Sequence, residues 1–147
     1  MEINTASAAI GFAKKLEEDS AKLYESLSQK YAQDGALFLS FVKENKKYVV
    51  QIERAYYGVI TDALEGGYAF SIDPDEYIFE IPLDTDTDYS DALGKAIGME
   101  EKITKFYFDA AEQSKSLMAD VPRAFVMIAK KRGNRREVLK SLLGERT

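Results

Sequence analysis

Apolar residues recur every three or four positions over four long stretches of this chain, the spacing of one face of an α-helix. From about Thr5 to Tyr31 one side carries Ala9, Ala13, Leu16, Ser20, Leu23, Leu27 and Tyr31. Asn4 or Thr5 is placed to cap that helix, and Gln33-Asp34-Gly35 to end it. From about Ala36 to Leu64 the stripe is Phe38, Phe41, Val42, Val49, Ile52, Tyr56 and Ile60, stopped by Glu65-Gly66-Gly67. A third helix begins near Asp88 or Ser90 and carries Leu93, Ile97, Ile103, Phe106, Tyr107 and Ala110. The fourth starts just after Pro122, runs to about Leu143, and aligns Phe125, Ile128, Ala129, Leu139 and Leu142.

Short turns join the first helix to the second and the third to the fourth. Between the pairs lies a longer stretch, Gly67 to Asp88, with two prolines and a short extended piece expected at Tyr77 to Leu83. These elements predict an all-α chain forming a single domain over residues 1–147. Its architecture is a four-helix bundle of ferritin-like topology, made of two helical hairpins with a long crossover between helices two and three.

The apolar stripes carry polar residues. Glu17 is flanked at helical spacing by Ala13, Ser20, Ala21 and Tyr24, whereas Glu18 is flanked by Lys14, Lys15, Lys22 and Glu25. Glu17 therefore points inward and Glu18 toward water. Glu100 lies among Ala96, Ile97, Ile103 and Tyr107, and Asn45 among Phe41, Val42, Tyr48 and Val49. Arg132 and Arg135 lie among Ile128, Ala129, Val138 and Leu139. The chain also echoes itself. Glu17 to Tyr24 and Glu100 to Tyr107 both read E-x-x-x-x-x-[LF]-Y, and Phe38, Phe41, Asn45, Tyr48 match Phe125, Ile128, Arg132, Arg135 in spacing.

On these residues the chain resembles the rubrerythrin-like branch of the ferritin-like superfamily over nearly its whole length. The resemblance implies a di-iron oxidoreductase fold in which helices one and three each donate a glutamate seven residues before a tyrosine. Helices two and four would each donate Glu-x-x-His. Glu17 and Glu100 match the two lone glutamates, with Tyr24 and Tyr107 after them. Helix two instead has Asn45-x-x-Tyr48 and helix four Arg132-x-x-Arg135, and the chain has no histidine. Two buried carboxylates need a counter-charge, and guanidinium forks suit carboxylates bidentately. The expectation is a degenerate di-iron site, its metal replaced by an internal Glu–Arg network completed by Asn45 and Tyr48. No cofactor is then expected, and the role is binding or structural. The alternative is an oxidoreductase keeping iron, or another hard cation, on Glu17 and Glu100 with Glu44 moving in.

Simpler readings of the same residues exist. The arginines can reach water past a helix end, the glutamates can be boundary residues, and Tyr24, Tyr48 and Tyr107 can be core aromatics whose hydroxyls need partners.

Composition narrows the chemistry. With no cysteine there is no disulfide, thiolate zinc site or cysteine-ligated cluster, nor the rubredoxin-like domain of full rubrerythrins. A formal charge of −5 argues against nucleic acid as a partner. No apolar run approaches the roughly 18 residues of a membrane span, and the N-terminus lacks a leader pattern. A cytoplasmic protein is expected.

Other signals are weaker. The aspartates of Asp84 to Asp91 start like a calcium loop, but Tyr89 stands where glycine is required and Lys95 where the closing glutamate is. Helix capping explains them. Glu44, Lys47 and the basic residues Lys130, Lys131, Arg135 and Arg136 also fit solvated faces. Val50 and Tyr57, off the main stripe of helix two, suggest a second buried surface such as a homodimer contact.

Overall fold

The computed structural model describes residues 2–59, 70–80, 83, 86–114 and 120–145. Four long α-helices dominate: α1 (Ala6–Lys30), α2 (Gly35–Val59), α3 (Tyr89–Ser114) and α4 (Asp120–Gly144). Short 3-10 turns cover Ala32–Asp34 and Pro74–Tyr77. Among the described residues there is no strand, only an isolated bridge between Ile3 and Ile72. No helix of the described residues is long and apolar enough to cross a membrane.

The caps follow local chemistry. Thr5 accepts the Ala8 N–H on its hydroxyl at 3.1 Å, and Asp88 accepts the Asp91 N–H at 2.8 Å. The aspartate run thus serves as a helix start at Asp88, while Asp84 and Thr85 lie outside the described residues. Helix α4 begins two residues before Pro122 rather than after it. A proline in a first turn forfeits only an N–H that has no helical partner. Gly35 is not the stop of α1. It opens α2 in ordinary right-handed conformation, and its missing Cβ lets it approach the Ser28 carbonyl, which a Cβ would meet at 3.2 Å. Tyr31 ends α1, donating its N–H to the Leu27 carbonyl at 2.9 Å. The expected stop at residues 65–67, and Ile60 and Leu64 before it, lie outside the described residues.

The apolar stripes face inward as their spacing requires. Phe38, Leu23, Leu27, Leu93, Ile103, Phe106, Phe125, Ile128 and Leu139 are buried, with Val49 and Leu142 half-buried. Val138 is exposed instead; it stands one residue, about 100° of helix, from the buried Leu139. Helix α1 packs chiefly on α2 and α3 on α4, and the two hairpins meet through α2 on α4 and α1 on α3.

The described residues of the middle connection touch the bundle at three places. Ile3 and Ile72 exchange backbone hydrogen bonds at 2.7 and 3.0 Å beside the start of α1. Tyr77 packs edge-on against Phe12 and Phe106 and donates its hydroxyl to Asp109 at 2.6 Å. Past Tyr77, the described residues of the expected extended piece form no ladder, because no neighbouring strand offers hydrogen bonds. Near Thr87 the connection reaches the far end of α1, where Tyr31 donates to the Thr87 carbonyl at 2.6 Å and stacks on Tyr89.

Candidate functional site

Midway along the bundle the aromatic and aliphatic core is interrupted by charge. Glu17, Ser20, Asn45, Glu100, Arg132 and Arg135 are all buried, and Arg132 is fully so. Each sits where its helix turns its apolar face inward, so tertiary packing leaves these side chains at most 3% exposed. They must satisfy one another.

Arg132 is the hub. Its Nε and Nη2 grip Glu17 side-on, at 3.1 Å to Oε2 and 2.6 Å to Oε1. Its Nη1 donates to Glu100 Oε1 at 2.6 Å. One guanidinium from α4 thereby spans a carboxylate on α1 and another on α3. Nη2 also reaches Ser20 Oγ at 3.3 Å and Asn45 Oδ1 at 3.2 Å. The Asn45 amide donates in turn to Ser20 Oγ and to the Glu17 carbonyl, at 3.2 and 3.3 Å.

The tyrosines complete the carboxylates by exchange between helices. Tyr107 on α3 donates to Glu17 Oε2 on α1 at 2.6 Å. Tyr24 on α1 donates to Glu100 Oε2 on α3. Burial, followed by the neighbouring carboxylate charge, holds both hydroxyls well above the ordinary phenol range, so they are donors at neutral pH. Burial likewise raises Tyr48. Arg132 is pulled down by burial, but Glu100 and Glu17 outweigh that pull and hold it well above the usual arginine value.

Arg135 is held differently. Its Nη1 donates to Asn45 Oδ1 at 2.8 Å and, at 3.5 Å, to Glu100 Oε2. Nη2 reaches Glu44 Oε1 at 3.2 Å, and the Phe41 carbonyl and Tyr48 hydroxyl at 3.5 Å. Its guanidinium carbon lies 4.4 Å from the Phe41 ring centre and 5.5 Å from that of Tyr48, a cation–π enclosure. Its Nε has no hydrogen-bond partner.

Glu17, Asn45, Tyr48, Glu100, Arg132, Arg135, Tyr24 and Tyr107 therefore meet in one layer, as their spacing suggests. Two assignments need correction. Arg135 is no part of a solvated basic face, because Phe41, Tyr24 and Tyr48 enclose it. Glu44, half in water at 46% exposure, leans back to pair with it. Ser20 is a hydrogen-bonding member that sequence spacing marked only as a stripe position; its hydroxyl, three residues from Glu17 on the inward face, was the signal.

The donor set does not fit iron. All four oxygens of Glu17 and Glu100 accept hydrogen bonds from Arg132, Arg135 or a tyrosine. A cation placed between them would meet the Arg132 guanidinium. No group of three or more acidic, histidine or cysteine ligands comes together among the described residues. Comparison with protein-family models, curated proteins and solved structures gives no match.

Proposed function

We propose that this chain is a rubrerythrin-like member of the ferritin-like bundles in which a Glu–Arg network stands in place of the di-iron centre. It serves as a binding or structural protein rather than as a di-iron oxidoreductase. One observation carries the reading: Arg132 bridges Glu17 and Glu100, the residues that match the family's lone glutamates, through charge-assisted hydrogen bonds of 2.6 Å.

The tyrosine exchange supports the topology. Glu and Tyr are seven residues apart on both helices, about 10.5 Å along the axis. Tyr24 can reach Glu100 while Tyr107 reaches Glu17 only if α1 and α3 run antiparallel. Each hairpin is itself antiparallel across its short turn, so α2 and α3 run the same way. Their connection must then return the length of the bundle, in keeping with its contacts at Ile3 and at Tyr31. This course supports the ferritin-like crossover.

The chemistry supports the loss of metal. A di-iron centre supplies positive charge to a ring of carboxylates, and here two permanent cations balance two buried acids. Elemental analysis after anaerobic ferrous loading tests the reading: the protein is expected to take up no stoichiometric iron, and about two irons per chain would contradict it. Combining Asn45→Glu, Tyr48→His, Arg132→Glu and Arg135→His is expected to create iron binding. Failure of a folded quadruple variant to bind would argue against the family register.

A further inference from the structure

We propose that the outer face of α2 is a docking site for an acidic amphipathic helix of a partner protein. Leu39, Lys43, Lys46, Val50, Arg54 and Tyr57 form a single file along that face, at steps of three and four residues. This is the spacing with which one helix presents a seam to another. The apolar members are open to water: Leu39 at 48%, Val50 at 45% and Tyr57 at 67%. Two shallow depressions flank Val50, of ≈ 320 and ≈ 520 Å³, the larger extending to Tyr57.

Charge selects the occupant. Lys43, Lys46, Lys47 and Arg54 are exposed, and no carboxylate among the described residues pairs with any of them. Glu53, the acid on this side of α2, lines the larger depression, and its charge is met by Lys14 of α1 at 3.7 Å. The outer face of α2 thus carries four cations unpaired by any carboxylate of the described residues, on a chain of net charge −5. Cations alternating with apolar anchors complement a helix whose leucines are flanked by glutamates.

A second copy fits the face poorly. Two such faces packed about Val50 would bring eight cations together. The chain's own acidic stretch, Asp73, Asp75, Glu76 and Glu80, is an irregular segment around a 3-10 turn, without a helical seam. An anionic membrane fits poorly too, because three side chains in single file offer little area to insert and the rest of the protein is acidic.

Isotope-labelled full-length protein titrated with a synthetic helical peptide of leucine and glutamate in heptad spacing tests the proposal. Backbone shift changes are expected along the outer face of α2, with affinity falling as salt rises. Combining Lys46→Glu with Arg54→Glu is expected to weaken binding at least about tenfold, as is Tyr57→Ala to a smaller degree, with melting unchanged. Equal binding by a composition-matched scrambled peptide would overturn the proposal. So would shifts centred on Arg123 and Lys130 of α4, unaltered affinity in the charge-reversed variant, self-association through α2, or binding of phosphatidylserine vesicles but not the peptide. The metal content of the protein bears on none of these outcomes, so this docking site and the replaced metal centre stand or fall separately.

Discussion

The two hairpins share their first helices and differ in their second. In each, the first helix supplies one buried glutamate and, two turns on, one buried tyrosine. The second helix of the first hairpin adds neutral Asn45 and Tyr48, whereas that of the second adds Arg132 and Arg135 at the same offsets. Counting buried charges, the first hairpin carries −1 and the second +1. The hairpins thus attract each other through the layer in which they meet. The fork of Arg132 on Glu17, both tyrosine bonds and the contacts of Arg135 with Asn45 and Glu44 all cross from one hairpin to the other. Two copies of the first hairpin would bury two like charges, and two copies of the second would bury four guanidinium groups against two acids. Sequence that looks like a repeat has become a pair of complementary halves, each specifying the other as its partner.

The largest expected effect comes from removing the hub. Arg132→Ala strands two buried carboxylates and is expected to destabilise the fold by about 3–5 kcal/mol, measured by denaturant unfolding. A loss under about 1 kcal/mol would place the pairing outside the energetics that matter.

The tyrosine exchange sharpens the comparison by separating the acids. Tyr24→Phe and Tyr107→Phe each remove a hydrogen bond to a charged group, worth about 1.5–3 kcal/mol. Glu17 keeps the two-pronged grip of Arg132, whereas Glu100 keeps one short bond and a long one from Arg135 at 3.5 Å. Tyr24→Phe is therefore expected to cost more than Tyr107→Phe; the reverse order would deny the asymmetry. The same hydroxyls predict a pH dependence. Their phenol pKa is higher folded than unfolded, so their contribution is full below about pH 10 and is lost as the pH rises beyond it. Absorbance titration is expected to ionise Tyr24 and Tyr107 only as the protein unfolds.

The smallest effect belongs to the layer's outer edge. Glu44 is half in water, so Glu44→Ala is expected to cost about 0–1 kcal/mol, and a larger loss in thermal melting would mean Arg135 depends on it as a buried partner.

Much of this was legible in the sequence, because a 3.6-residue period puts Glu17 beside Ala13 and Tyr24 and leaves Glu18 among lysines. Spacing identifies which residues face inward. It does not say which inward residue meets which. That Tyr24 serves the glutamate of α3 rather than of its own helix depends on the direction of packing. Arg135 was ambiguous for a related reason: its long side chain can snorkel, and its enclosure by Phe41 is a contact between hairpins. Val138 stands three residues from the buried Arg135, yet it lies beyond the edge that Leu139 defines. Phe12, Tyr77 and Phe106 form a cluster through the middle connection, whose path no periodicity encodes.

Arg132 neutralises the buried carboxylates of Glu17 and Glu100. A stability cycle measures this most directly, comparing Arg132→Met with Arg132→Met combined with Glu17→Gln and Glu100→Gln. If the cost of the single change is that of uncompensated buried acids, removing the acids is expected to restore most of the lost stability. Losses that simply add, leaving the triple variant less stable than Arg132→Met, would contradict the claim.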